Sequence, residues 1–323
     1  MVMYWRHYKR FIFVLLVQFV LMGCSSPVSE RPAVKLAISP WPGYEFIYLA
    51  KAQGYFEQVG ANITIVELGS LTESLRAYTN GHVDGFASTL VEAVQAEPFG
   101  GEPLKIVLFT DYSNGGDVIL ARSPVQSIQD LSGKQVGCEI SSLGIYVLER
   151  ALAQAGMSLD QVNVVNQEQP EGKDNMLHQA IDALVTYPPT SIELLKQPDI
   201  NLIFSSAEIP RQIIDTLSIS ERVLQEHPDL VSKIHQAWKL TLEYVEQNPD
   251  EAVAKMAKRE RLSISDFSAA LADMEILTAK DQASMLSGSE IPALVEQVCR
   301  TLVHVNALDY ECANYPDLMY KIK

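Results

Sequence analysis

Three acidic side chains stand beside strand-like runs of the sequence, where they could face a ligand: Asp117, Glu139 and Asp215. A carboxylate opposite an ammonium group or an amino-heterocycle forms a charge-assisted hydrogen bond, about twice as strong as a neutral one. The same carboxylate repels a sulfonate or a nitrate ion. These residues therefore favour a cationic or amine-bearing ligand. The alternative is that they serve as helix caps, hinge hydrogen-bonding groups or solvated surface charges.

Three hydroxyl residues precede helix-like runs and are each followed three positions later by glutamate: Ser70, Thr89 and Thr190. This spacing predicts capping boxes, in which the hydroxyl accepts a hydrogen bond from a free backbone N–H group. A helix amino terminus also offers N–H groups to a ligand oxygen. Ser70 and Thr89 are therefore candidates for capping alone or for capping with ligand contact, whereas Thr190 is expected only to cap.

Ser141 and Ser142 begin a further predicted helix. A carboxylate or sulfonate group of a ligand could bind at this terminus. Glu139 lies just upstream and would repel such an anion, so these positions also favour a ligand without negative charge.

Trp41 lies between Pro40 and Pro42 in a predicted strand-to-helix turn. An indole held in this way could stack on a planar or methylated ligand. The alternative is that Trp41 packs inside the core.

No motif in the sequence supports catalysis. The six histidines have no metal-binding spacing, and the chain contains neither HExxH nor GxSxG nor a Gly-rich phosphate loop. We therefore expect a protein that is not an enzyme and uses no cofactor or metal.

The elements that must position these residues form two α/β blocks. The predicted strands cover residues 34–38, 63–67, 83–87 and 105–110 in the first block, and 118–121, 135–138, 162–165, 183–186 and 202–204 in the second. Helical periodicity between them predicts parallel sheets covered by helices. One more strand-like run covers 213–219, and the remainder to residue 305 is helical.

Two blocks and a helical tail predict a bilobal protein. We expect lobe I to comprise residues 34–111 and 210–323, and lobe II to comprise residues 112–209. The chain would then cross between lobes twice, which makes a hinge, and a ligand would bind in the cleft.

The amino terminus has the features of an export signal. Arg6, Lys9 and Arg10 precede a short apolar run over 11–22, which predicts a signal peptide over 1–23 and a tether over 24–33. Cys24 follows Leu-Met-Gly and resembles the acylated cysteine of a bacterial lipobox. An ordinary signal peptide that ends near a cysteine is the alternative.

The net charge narrows the classes of partner that this chain can bind. Removal of residues 1–23 takes away three basic and no acidic residues and changes the formal charge from −15 to −18. Such an acidic chain is a poor partner for nucleic acid or an anionic membrane surface.

Cys138 is expected to be a buried free thiol, and Cys299 and Cys312 either form a disulfide after export or remain buried thiols.

Several segments together resemble the nitrate/sulfonate/taurine-type solute-binding proteins, a group that includes receptors for the thiamine pyrimidine precursor. They are SPWPGY at 39–44, YLA at 48–50 with GYF at 54–56, NGHVDG at 80–85, DLSGKQVG at 130–137 and DALVTYPP at 182–189. The resemblance covers most of residues 34–250 and implies an α/β, type II periplasmic-binding-protein fold.

The resemblance also implies partners and site residues. The partners would be an ABC-transporter permease and its ATPase. Family binding positions would fall on Ser39, Trp41, Ser70, Thr89, the turn over residues 139–143 and Tyr187. Anion receptors of the family tend to have a Gly-Ser or Gly-Thr pair in that turn, which this chain lacks.

We therefore expect a monomeric, lipid-anchored solute-binding protein of an ABC importer, on the periplasmic side of a bacterial membrane. It would hold a small, nitrogen-containing organic solute between two lobes by stacking on Trp41 and Tyr187 and by a few hydrogen bonds. One alternative is a periplasmic sensing module that acts on a membrane receptor. The other is an enzyme like the thiamine-pyrimidine synthases, whose cysteine cluster is absent from this sequence.

Overall fold

The computed structural model describes residues 32–321. The predicted signal peptide, Cys24 and most of the tether lie outside the described residues. Within 32–321, no helix is both long enough and apolar enough to cross a lipid bilayer.

The first sheet has six strands in the order β11-β4-β10-β3-β1-β2. Strands β1, β2 and β3 pair in parallel, whereas β10 runs antiparallel to both β3 and β4, and β11 runs antiparallel to β4. Their bounds are β1 Val34–Ile38, β2 Ile63–Glu67, β3 Gly85–Thr89, β4 Leu104–Ser113, β10 Ile214–Ser220 and β11 Met274–Ile276.

The second sheet has five strands in the order β7-β6-β8-β5-β9. Strand β6 pairs in parallel with β7 and β8, and β5 is antiparallel to β8 and β9. Their bounds are β5 Val118–Arg122, β6 Gln135–Cys138, β7 Asn163–Asn166, β8 Ala183–Thr186 and β9 Ile200–Ser205.

The prediction of purely parallel sheets is wrong at β5 and β10. Both strands directly follow a passage of the chain from one sheet to the other, through residues 114–117 and 206–213. A strand that enters a sheet in this way needs no crossover helix and is free to pair antiparallel with its neighbours. The lobe boundaries at residues 111 and 210 stay a prediction.

Thirteen α-helices cover the two sheets among the described residues. They are α1 Glu45–Ala52, α2 Tyr55–Gln58, α3 Leu71–Thr79, α4 Leu90–Ala96, α5 Leu143–Gln154, α6 Gln169–Leu177, α7 Thr190–Leu194, α8 Glu221–Glu226, α9 Leu230–Gln247, α10 Pro249–Arg259, α11 Ile264–Ala272, α12 Ala279–Ser287 and α13 Glu290–His304. Helix α4 packs on the first sheet, α5 on the second, and α13 contacts both helices.

Local chemistry explains where two of these helices begin and end. Gly54, whose backbone is left-handed (φ 73°), separates α1 from α2. The prediction that Thr190 caps its helix is wrong, because α7 already begins at Thr190 and its N-cap is Pro189, with no side-chain cap hydrogen bond. The carboxylate of Glu193 pairs with Lys173 instead.

The structure also decides between the alternatives for the cysteines. Cys299 on α13 forms a disulfide with Cys312, which begins a short 3-10 turn near the end of the described chain. Cys138, at the end of β6, is a buried free thiol, as expected.

Candidate ligand-binding site

A small cavity of about 10 Å³, room for about one water molecule, lies where the two sheets meet. Its walls come from the turn after β1, the starts of α3 and α4, strand β10, the linker before β5, the start of α5 and the residue after β8. The lining residues are Ser39, Pro40, Trp41, Tyr44, Leu71, Thr89, Asp117, Leu143, Tyr187 and Asp215. Residues that are far apart in the sequence thus share one small space.

The turn after β1 supplies the aromatic wall. The backbone N–H group of Tyr44 donates to the carbonyl of Trp41 over 2.9 Å, which closes the turn ahead of α1. Gly43 lies so close to Asp111 that a Cβ atom on this glycine would stand 1.9 Å from Asp111 Oδ2. Glycine is therefore required here by the approach of a carboxylate.

Trp41 is fixed by both packing and a hydrogen bond. Its indole Nε1–H group donates to Asp111 Oδ1 over 3.1 Å, and its ring meets Tyr187 edge-to-face, with the ring centroids 6.1 Å apart. The side chain is only 4% exposed, yet it lines the cavity. Both interpretations of Trp41, core packing and a place in the site, therefore describe its position.

A β-bulge brings two aspartates side by side. Strand β10 pairs Ile214 with Tyr112 and Thr216 with Phe109, so two residues of β4, Thr110 and Asp111, oppose Asp215 alone. Asp215 accepts a hydrogen bond from the Tyr44 hydroxyl group through Oδ1.

Each of three aspartates keeps one buried oxygen without a hydrogen-bond partner among the described residues. These oxygens are Asp111 Oδ2, Asp117 Oδ2 and Asp215 Oδ2. The Ser39 hydroxyl oxygen is also buried and has no hydrogen-bond partner among the described residues. All four side chains are at most 2% exposed. Buried polar atoms are seldom left without a partner, so this concentration in and beside one cavity wall indicates groups that await a partner.

Burial dominates the electrostatics of the site. It raises the pKa of Asp117 to about 7 and that of Asp111 to about 7. Burial also raises the pKa of Asp215 well above its ordinary value, and the neighbouring carboxyl group of Asp111 raises it further. Within residues 32–321, no three His, Cys, Asp or Glu side chains come together in a way that could hold a metal ion.

Glu139 lies beside the cavity and not in its wall. Its Oε2 atom accepts a hydrogen bond from Gln169 Nε2 over 3.2 Å and a longer one, over 3.4 Å, from the Tyr187 hydroxyl group. Its Oε1 atom is buried without a partner among the described residues, and burial raises the pKa of its carboxyl group. Glu139 therefore acts on the cavity through Tyr187.

The structure brings together six of the predicted site residues in the cavity wall: Ser39, Trp41, Thr89, Asp117, Tyr187 and Asp215. Ser70 caps α3 by accepting from the Glu73 N–H group over 3.1 Å, and it is absent from the wall. Ser142 is buried behind the wall, whereas Ser141 is exposed to solvent and is not part of the wall.

Sequence reasoning missed Tyr44, Asp111 and the role of Glu92 at this site. Glu92 accepts hydrogen bonds from the Thr89 and Ser142 hydroxyl groups over 2.6 and 2.5 Å. A usable signal existed for Glu92, because it is a charged residue inside an otherwise apolar run.

Two mixed sheets covered by helices, with a small cavity where the sheets meet, define the periplasmic-binding-protein fold. A sequence model of the family described as NMT1/THI5 like matches residues 41–252, and the chain belongs to this family. It is also 26% identical over 267 residues to the riboflavin-binding protein RibY of Chloroflexus aurantiacus, a match that covers 74% of each chain.

Solved structures agree with the fold. The chain is similar to the periplasmic aliphatic sulphonate binding protein SsuA of Escherichia coli, with a TM-score of 0.73, 16% identity, and coverage of 90% of this chain and 92% of that one. It is similar also to the alkanesulfonate-binding protein SsuA of Xanthomonas axonopodis pv. citri bound to MOPS, with a TM-score of 0.75, 15% identity, and coverage of 88% and 96%. The expected fold and the resemblance noted in the sequence are thereby confirmed.

Proposed function

We propose that this protein is the solute-binding component of an ABC-type importer and takes a small solute that carries a positively charged or hydrogen-donating nitrogen. The observation that carries the proposal is the set of buried, unpartnered oxygens of Ser39, Asp117 and Asp215 in one cavity wall. The two carboxyl oxygens need donors when they are ionised, and an ammonium or amino group supplies several, whereas the Ser39 hydroxyl can donate or accept.

The charge of the wall supports the same class of solute. None of the ten described lining residues is Lys, Arg or His. A sulfonate in this cavity would meet buried aspartates with no cation to offset them, which costs several kcal/mol. A cationic nitrogen would instead form charge-assisted hydrogen bonds with Asp117 and Asp215.

The aromatic side chains and the volume of the cavity bear on the shape and size of the proposed solute. Trp41, Tyr44 and Tyr187 surround the aspartates, and their ring faces and edges suit a cation or a flat heterocycle. The free volume of about 10 Å³ holds no more than about one water molecule. The proposed solute therefore enters only after the two sheets have moved apart. The structural relatives named for sulfonates share the fold, and the acidic wall supports a different class of solute for this chain.

The test is a ligand panel measured by thermal shift and then by calorimetry. We expect the purified protein to respond to choline, glycine betaine, ethanolamine or an aminopyrimidine, and not to methanesulfonate, taurine or nitrate. Asp215→Asn should weaken binding of the solute that responds, while the exposed control Asp309→Asn should leave it unchanged. Tight binding of methanesulfonate by the wild type would reject the proposed solute class.

The proposal includes a monomeric protein on the periplasmic side of a bacterial membrane, held there by lipid on Cys24, with an ABC permease and ATPase as partners. The support for the anchor is the sequence alone: a short apolar run followed by Leu-Met-Gly-Cys. Labelled palmitate should enter the wild-type chain and not Cys24→Ala. A wild-type chain that takes up no label would refute the anchor without affecting the solute site.

A further inference from the structure

Helix α5 begins at the cavity wall without a capping side chain of its own, although the Ile145 N–H group of its first turn donates to the Glu139 carbonyl over 3.2 Å. Its N-cap residue, Ser142, makes no side-chain capping hydrogen bond to the helix, and its first turn contains no acidic residue. Leu143, the first residue of the helix, lines the cavity. The free N–H groups of such a first turn carry partial positive charge and attract an anion.

Glu92 supplies that anion from a helix of the other sheet. Its Oε1 atom accepts from Ser142 Oγ over 2.5 Å and from the Leu143 N–H group over 2.8 Å. Its Oε2 atom accepts from the Thr89 N–H group over 2.9 Å and from Thr89 Oγ1 over 2.6 Å. Four donors thus meet the four acceptor positions that a carboxylate offers when it is ionised. Burial raises the pKa of Glu92, and the hydrogen bonds from Ser142, Thr89 and the Leu143 N–H group act in the opposite direction.

The position of this carboxylate matters for the cavity. The Glu92 side chain is fully buried, and two of the residues that it binds, Thr89 and Leu143, stand in the cavity wall. The carboxylate therefore lies directly behind the wall, at the place where a helix terminus would otherwise present its N–H groups to a bound solute.

We infer that Glu92 determines the charge specificity of the cavity by occupying the amino terminus of α5 as a built-in anion. The inference rests on the proposed function, in which the cavity is the solute site. With the terminus filled, an anionic group finds no free donors there. The carboxylate adds its negative charge to that of Asp117 when Asp117 is ionised, so the cavity favours solutes that bring donors or positive charge.

The inference is tested by removing the built-in anion and offering an external one. Glu92→Ala frees the α5 terminus and opens space beside the cavity, and methanesulfonate is the probe. The matched control is Glu97→Ala, which removes an exposed carboxylate from the end of the same helix, α4. We expect methanesulfonate to raise the melting temperature of Glu92→Ala and to bind it at least about tenfold more tightly than it binds wild type or Glu97→Ala. Equal responses of Glu92→Ala and Glu97→Ala would overturn the inference.

A second variant covers the case in which Glu92→Ala does not fold. Glu92→Gln keeps the volume of the side chain and removes its charge, so methanesulfonate should stabilise it more than it stabilises wild type. A Glu92→Gln protein that is folded and shows no gain rejects the inference. Binding of methanesulfonate by the wild type itself would instead reject the proposed solute class, so the two failures are distinguishable.

Discussion

Asp117 offers the sharpest test of the site, because burial raises its pKa to about 7, inside the range in which binding is measured. Only the ionised carboxylate gains from a cationic solute. With this pKa, the ionised fraction rises from about one-tenth at pH 6 to about nine-tenths at pH 8. The association constant of a quaternary ammonium solute, which does not titrate itself, should therefore rise about tenfold over this interval, with release of protons on binding.

Substitution of Asp117 by asparagine should remove this dependence. At pH 8 the variant loses a hydrogen bond to a charged group, which costs about 1.5–3 kcal/mol of binding free energy. Between pH 6 and 8 the slope of affinity against pH should fall, leaving the part contributed by Asp111. Calorimetry in buffers of different ionisation enthalpy measures both the affinity and the number of protons released. A variant that keeps the wild-type pH dependence would show that Asp117 does not face the solute.

The same carboxyl group should make the ligand-free protein less stable as the pH rises. In the unfolded chain its pKa lies near 3.8, and in the folded protein near 7. The folded state therefore binds the extra proton between these values, so this stabilisation is present at low pH and is lost as the pH rises through about 7. From pH 5 to pH 8 the loss amounts to about 3 kcal/mol of unfolding free energy. Urea titrations should show this decline in wild type and a shallower one in Asp117→Asn.

Three other substitutions test residues that hold the site in place or stabilise the fold. Gly43→Ala places a methyl group 1.9 Å from Asp111 Oδ2. It should lower both the unfolding free energy and the solute-binding free energy by about 1–3 kcal/mol. A fully stable variant with normal affinity would contradict the geometry of the turn. Trp41→Phe removes the indole donor of the 3.1 Å hydrogen bond to Asp111. It should cost about 1–3 kcal/mol of unfolding free energy, measured by urea titration. An unchanged stability would mean that the Asp111 carboxylate has another partner. Cys312→Ser opens a disulfide with a sequence separation of 13 residues, and should lower stability by about 3 kcal/mol while calorimetry shows unchanged solute affinity.

The sequence predicted the elements well where apolar runs are bounded by Gly, Pro or polar residues. Strands β1, β2, β6 and β8 have the predicted bounds. Helix α6, Gln169–Leu177, was missed because its sequence QPEGKDNML has almost no apolar face; its buried residues are Gln169, Gly172 and Met176. Strand direction was missed because the alternation of buried residues is the same in parallel and antiparallel strands.

Part of the site was predictable because its residues follow strands or precede helices. Ser39 and Tyr187 directly follow β1 and β8, and Thr89 joins β3 to α4, where the chain must turn toward the cavity. Such positions favour function over packing, because they combine a rigid support with free polar groups. The same reasoning could not distinguish Ser70 from Thr89. In this structure Ser70 only caps its helix, whereas Thr89 caps its helix and also lines the cavity. The difference depends on the direction in which each helix meets the cavity.

Asp111 was not predictable, and the reason is the β-bulge in β4. Regular alternation of side chains would not place two successive residues of one strand against a single residue of the next. The bulge lets Thr110 and Asp111 share Asp215 as their neighbour and brings the Asp111 carboxylate within reach of the Trp41 indole and of Gly43. A bulge re-aims a side chain without leaving a period in the sequence. The two aspartates are therefore brought together by an irregularity of pairing, and the raised pKa values that would make binding depend on pH follow from that irregularity and from burial.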